Sequence, residues 1–556
     1  MKNIYLSALV LLGLLTGCYA DKGGNDFDSP LADVEMTIPG TAYSAALGSS
    51  IEIEPEVNTT ISDDDLEYIW EAYGNGRNSY GRTAYTPIEN NNGTSRKLSF
   101  TCHLDTTITA LNTSYTCRLH ARQKSTGRDF YSTNTFTITI AGVTGLLVLH
   151  GDDSSSDIGI VEANEFMPSS SSLPGSPSAT PAIYSSSNSG QKLSGKGKSI
   201  VNAIPSYTLS SHSDHYDIVA QTSDGIYFAN TNDFSYKGDW SSMFYLTGDE
   251  AVNHNKPQGF VAYGSYFVGF DDSEMFMCDP NNSYPFLTAD YTDSKICADG
   301  NSFGFDPFVC KVASSGGIQA LGYCNKVNGQ TQKGFVGFSQ LIPSNCLNYT
   351  NLLDTKSDNV LFNPGNMHAS LITMYTDARQ HVLAVLKGDA DHPQLAGKYF
   401  AVDLYPHAET AGETGRANIP CYLYDMSSQS DIDNAFAFAF GSTKNMCYYA
   451  TPSGVYHYGV DESTLYSASA LGMTNGSALS LNGEVTMMKL LDSPNVETHN
   501  TEPILVVATW QNNEATLYAL HIDESTGNVK TAVKYNKDNV EGWNFGIIRD
   551  VNIKGV

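Results

Sequence analysis

The sequence predicts an all-β protein in two unequal parts. Three observations predict it. Helical periodicity is nearly absent along the 556 residues; short alternating apolar/polar runs fill residues 31–142; and from 143 to 556 short apolar runs recur with tight turn residues between them. An apolar content of 41% with 16% charged residues marks a globular rather than a disordered chain. The length exceeds what one core supports and suits two or three domains.

The first 18 residues stand apart. Lys2 leads into an apolar run, Ile4 to Leu15, that is too short to span a bilayer as a helix. The run stops at Leu15-Thr16-Gly17-Cys18, the layout of a secretory signal. The cysteine at that point resembles a bacterial lipobox, which implies lipidation of Cys18 and a mature chain that begins there. Attachment to the membrane would then be through acyl chains. Residues 19–30 form a polar, Gly-rich tether carrying Asp21, Asp26 and Asp28. Its acidic character resembles the signal that sends Bacteroidota lipoproteins to the outer face of the outer membrane.

Between 31 and 142 the strands follow in order: Ile51 to Val57, Leu66 to Trp70, Leu98 to Leu104, Tyr115 to Leu119, and Phe136 to Ile140. Each alternates as a half-buried strand should, and Asn90 to Gly93 and Ser125-Thr126-Gly127 supply turns between them. Several short strands over about 110 residues fit a β-sandwich of immunoglobulin-like type. Tyr68-Ile69-Trp70 followed by Tyr115-Thr116-Cys117-Arg118-Leu119 resembles the core of the PKD-like domain of Bacteroidota surface lipoproteins, and the stretch from Cys18 to Asn25 resembles their mature N-termini. Cys102 and Cys117 share the apolar parity of their strands; they either bridge across the core or stay as two buried thiols. No cysteine other than Cys18 precedes Trp70, so the usual immunoglobulin disulfide cannot form.

After Val143 the pattern changes. Gly145 to Leu149 reads as a buried strand, and residues 151–199 are rich in Ser, Gly, Pro and Asn. Strand, turn and strand then repeat at Ile218 to Ala229, Met446 to Tyr458 and Ile504 to Asp523, with looser copies at Phe260 to Phe270 and Leu383 to Asp403. Many short strands must dispose of their sheet edges, and a radial array of four-stranded blades does so. The residues from 143 to 556, at roughly 40–60 per blade, predict a seven- or eight-bladed β-propeller. No WD or kelch signature occurs, and a large sandwich or β-helix is the alternative. The PKD-like resemblance also implies a propeller-like C-terminal part.

A net charge of −28 argues against nucleic acid and against a polybasic grip on lipid. Of ten cysteines, Cys18 carries lipid on this reading, leaving an odd nine. No C-x-x-C, G-x-S-x-G or H-E-x-x-H motif is present, so no catalytic residue, metal or cofactor is predicted. Lys192 to Ser199 looks like a phosphate loop but has lysine where the motif needs its first glycine, and reads as a basic turn. His212, Asp214, His215 and Asp217 are split between two faces by strand alternation; Asp389-Ala390-Asp391-His392 and Asp63-Asp64-Asp65 read as polar turns. Among only four tryptophans, Trp240 sits among turn residues and is predicted to be exposed, a weak candidate for ligand binding.

The function expected from these features is a non-catalytic, surface-exposed lipoprotein that binds an extracellular oligopeptide or glycan. The resemblance implies association with an importer of the SusC/SusD type. A protein-interaction adaptor in the envelope is the alternative, and a propeller hydrolase or lyase a further one.

Overall fold

Alternation at period two shapes the first 142 residues. The structure, a computed structural model, describes residues 33–46, 50–77, 83–102, 107–108, 113–167, 175–202, 218–243, 257–263, 266–271, 274–278, 303–315, 318–338, 350–352, 363–376, 381–404, 421–441, 446–461, 464–491 and 503–554. The chain divides into two units, Met1–Gly142 and Val143–Val556.

In the first unit the larger sheet runs Ala42–Ala46, Phe136–Ala141, Ser114–Gln123, Leu66–Arg77, Thr83–Pro87, with Asp129–Tyr131 attached to Ser114–Gln123. Ala42–Ala46 lies parallel to Phe136–Ala141; the other pairs are antiparallel. Val34–Thr37 pairs with Glu56–Thr59, and Ser50–Ile53 with Leu98–Thr101. The inward parity of all these strands builds one core around Trp70, Phe100 and Phe136, with the Trp70 and Phe136 rings edge to face at 5.7 Å. The arrangement is consistent with the immunoglobulin-like sandwich expected. One expectation fails in detail. Ile51 to Val57 is not one strand, because Pro55 has no N–H for the ladder and the segments on either side of it pair with different partners.

The second unit consists, among the described residues, of seven antiparallel sheets in chain order. Its first sheet holds Gly145–Gly151, Ser155–Glu162 and Ser178–Thr180. The second is Gly197–Asn202, Ile218–Thr222, Ile226–Ala229 and Tyr236–Asp239. The third begins at Pro257–Tyr263, the fourth at Phe303–Ser315, the fifth at Ala369–Thr376, the sixth at Ala437–Phe440 and the seventh at Glu484–Leu491. Ile547–Lys554, at the far end of the chain, returns to pair with Gly145–Gly151 and completes the first sheet.

The apolar clusters follow the same order. One joins the first and second sheets, and others join the third to the fourth, the fourth to the fifth, the fifth to the sixth and the sixth to the seventh. A further cluster, with Leu146 and Val148 against Ile504 and Val506, joins the seventh sheet to the first. Buried polar contacts tie the leading strands together: Asp550 accepts both Lys489 Nζ (3.0 Å to each oxygen) and the Ile200 amide (2.8 Å), linking the seventh, first and second sheets. Helix is confined among the described residues to short pieces such as Ile183–Ser187, and no helix there is long and apolar enough to cross a membrane.

Candidate functional site

The parity that buries Tyr68, Trp70 and Ala72 turns Glu71 and Tyr73 to the other face of the same sheet. Ser114–Gln123 does likewise: Cys117, Leu119 and Ala121 are buried, and Arg118 and His120 lie opposite. On Asp129–Tyr131 only Phe130 points inward. Register then brings these outward residues together, since Glu71 is opposite Arg118, His120 opposite Tyr131, and Tyr73 opposite Tyr85.

Arg118 is the centre of the group. Its Nε donates to Glu71 Oε2 at 2.7 Å, and its guanidinium carbon lies 3.9 Å from the Tyr85 ring centroid and 4.3 Å from that of Tyr131. Tyr131 arrives from one side of Ser114–Gln123 and Tyr85 from beyond Leu66–Arg77, so the two rings hold the guanidinium plane between them. His120 stacks on Tyr131 at 4.8 Å, and its Nε2 hydrogen-bonds Asp129 Oδ1 at 2.9 Å. Its Nδ1 faces Glu71 Oε1 at 3.6 Å, too far for a hydrogen bond. The Glu71 carboxylate is largely buried while Tyr73 and Tyr131 remain 46% and 47% exposed. Such an arrangement stacks flat rings and offers fixed N–H donors beside them.

Residues 18–197 match the PKD-like family. The match takes in the whole of this face and runs on into the first strands of the second unit. No curated protein matches the chain. Among solved structures, it is similar to dihydro-heme d1 dehydrogenase NirN in complex with DHE (11% identity, TM-score 0.30), covering 60% of this chain and 58% of that one. The fission yeast SREBP-SCAP binding domains follow at 7% identity and TM-score 0.28, with 57% and 81% covered. The chain thus spans little more than half the length of the first of these, and at such scores neither likeness bears on fold or function.

Within the PKD-like segment, Cys102 and Cys117 are two free, buried thiols rather than a disulfide. Burial pushes Cys117 up to about 12 and raises Cys102, so both stay protonated near neutrality. Asp65 is engaged by the Ser125 amide, the Ser125 hydroxyl and Gln123 Nε2, and Asp63 by the Tyr68 hydroxyl; the acidic run serves as a turn anchor. Lys192 to Ser199 is turn and strand, with the Gly195 and Lys196 amides already donating to Ser154 O and Ser223 Oγ.

Trp240 is corrected. It is 3% exposed, and its Nε1 donates to Asp271 Oδ2 at 2.8 Å. The polar residues around it suggest a surface turn, but its hydrogen-bond partner comes from a strand 31 residues later. Asp389 accepts Lys333 Nζ (2.6 Å) and Ser370 Oγ (3.1 Å), and His392 stacks on His368 at 4.7 Å. Among the described residues no group of three or more His, Cys, Asp or Glu is placed to hold a metal. Cys18 and the segment from His212 to Asp217 lie outside the described residues.

Sequence reasoning missed Glu71, Tyr85, Arg118, His120 and Tyr131. The signal was available: the strands that carry Trp70 and Cys117 on one parity carry these charged and aromatic residues on the other.

Proposed function

We propose that the protein is a non-catalytic, lipid-anchored surface protein that captures an extracellular oligopeptide or glycan on the outer face of its first unit. The observation that carries this reading is the exposure of Tyr73 and Tyr131 around a guanidinium already oriented by Glu71. Exposed tyrosines beside oriented donors hold ligands by stacking and hydrogen bonding at low cost in side-chain entropy. Cys18, in its lipobox-like setting, is the anchor. The resemblance to PKD-like surface lipoproteins supports an outer-membrane location and a SusC/SusD-type importer as neighbour.

The second unit is, on this reading, a seven-bladed β-propeller. Support comes from the apolar clusters that join the first sheet to the second and each sheet from the third onward to the next, from the Trp240–Asp271 hydrogen bond between the second and third, from the cluster joining the seventh to the first, and from the C-terminal strand that completes the first sheet.

The test is made in cells that express the full chain. Labelled fatty acid enters the wild type and not Cys18→Ser, external protease reaches the protein in intact cells, and Tyr131→Ala weakens retention of extracellular peptide or glycan. Retention unaffected by Tyr131→Ala contradicts the placement of the site.

A further inference from the structure

We propose that the outer face of the first unit is a subsite for a carboxylate-bearing saccharide: a uronic acid seated on Arg118 with neighbouring sugar rings on the tyrosines. The inference rests on the capture reading of this face and narrows it to one ligand class.

Arg118 spends its Nε on Glu71, and among the described residues neither of its terminal nitrogens has a hydrogen-bond partner. Its side chain keeps 28% exposure. The rings of Tyr85 and Tyr131 fix the guanidinium plane, so the free end of the fork is set before a ligand arrives. A planar carboxylate is the anion that a two-pronged N–H pair matches. The exposed rings of Tyr73 and Tyr131 flank this point. From Asp129–Tyr131 to Thr83–Pro87 the sheet spans three strand spacings, about 14 Å. That leaves room for sugar units on both sides of the charged one.

A peptide fits less well. Extended peptides gain most of their affinity by adding a strand to a sheet edge. Here the group centres on Glu71, Tyr73 and Arg118, whose strands are flanked on both sides, while Tyr85 and Tyr131 come from strands with one partner each. At Arg118 itself only side chains are on offer, and they are flat rings and a fork. The chain's net charge of −28 repels polyanions at long range, a repulsion that physiological salt largely screens. Short uronate oligomers are therefore the preferred probes.

Calorimetric titration of the detergent-solubilised full chain with galacturonate, glucuronate and mannuronate tetramers tests this. At least one tetramer binds; its carboxyl-reduced counterpart and a glutamate tetrapeptide bind at least tenfold more weakly. Arg118→Lys, which keeps the charge but loses the fork, and Tyr131→Ala each weaken the uronate at least tenfold while the chain keeps the wild-type circular-dichroism spectrum and cooperative unfolding. Equal binding of the carboxyl-reduced sugar or of the glutamate peptide, still lost in Tyr131→Ala, overturns the uronate assignment and leaves the capture face standing. Uronate binding that is indifferent to both substitutions overturns the face as well. Failure of all three tetramers to bind overturns the inference.

Discussion

At Arg118 one guanidinium serves Glu71, Tyr85 and Tyr131 at once. Removing it leaves a largely buried carboxylate whose one remaining ionic contact among the described residues is His120 at 3.6 Å. A double-mutant cycle on Arg118→Ala and Glu71→Ala should therefore give a coupling of about 1–3 kcal/mol by denaturant unfolding. The exposed pair of Lys97 with Glu52 should show a much smaller coupling by the same measurement, because solvent screens it. His150 makes a second prediction. Its Nε2–H donates to Pro181 O at 2.7 Å and its Nδ1 accepts the Gly546 amide at 3.1 Å, so the folded ring is neutral. Burial pushes its pKa below the ordinary imidazole value. The unfolded chain then binds the proton more readily, and stability falls as pH drops through roughly 6.5. His150→Gln should lower stability at pH 8 but flatten the loss between pH 7 and 5, read as urea midpoints. Asp152 works in a lower window. The Ser154 hydroxyl, with the Ser154 and Ser155 amides, holds it down at about 2. Its contribution is complete above the ordinary carboxylate range and lost as pH falls towards 2. Single residues were also the hardest to read in sequence. Trp240 has polar chain neighbours, Asp239, Ser241 and Ser242, whereas its hydrogen-bond partner Asp271 lies 31 residues away in sequence.

Elements were more legible, because alternation and turn chemistry are local. The strand–turn–strand stretches predicted at Ile218 to Ala229 and Met446 to Tyr458 are hairpins, Ile218–Thr222 with Ile226–Ala229 and Met446–Thr451 with Gly454–Asp461. Ile504–Gln511 and Glu514–Ile522 meet through Asn512 and Asn513, both at positive φ (53° and 62°), as a two-residue hairpin turn demands. Asn513→Val should cost about 1–2 kcal/mol by the left-handed penalty, and Asn513→Gly should be neutral or stabilising, both checked by thermal unfolding. Where local pattern misled, a single residue outweighed it: alternation runs through Ile51 to Val57, but Pro55 withholds a donor and divides the segment between two ladders. The capture face was missed for a different reason. Its residues sit on strands that were read correctly, but only register across three pairings shows that Glu71, Arg118, Tyr131 and Tyr85 meet.

For the whole molecule, length and recurrence predicted an all-β chain, and that much the structure shows. What no local pattern contains is the pairing of Ile547–Lys554 with Gly145–Gly151, some 400 residues apart. If that strand closes the second unit, a chain truncated before Ile547 should lose the cooperative unfolding of residues beyond Val143 while the first unit keeps its protease resistance. Persistence of a cooperative second transition would contradict closure. The central claim is that the ligand sits on the outer face of the first unit. Hydrogen-exchange mass spectrometry of the full chain, with and without a bound uronate oligomer, measures this most directly. The account predicts added protection in peptides spanning residues 69–87 and 114–131 and none in the second unit; protection confined to residues beyond 143 would contradict it.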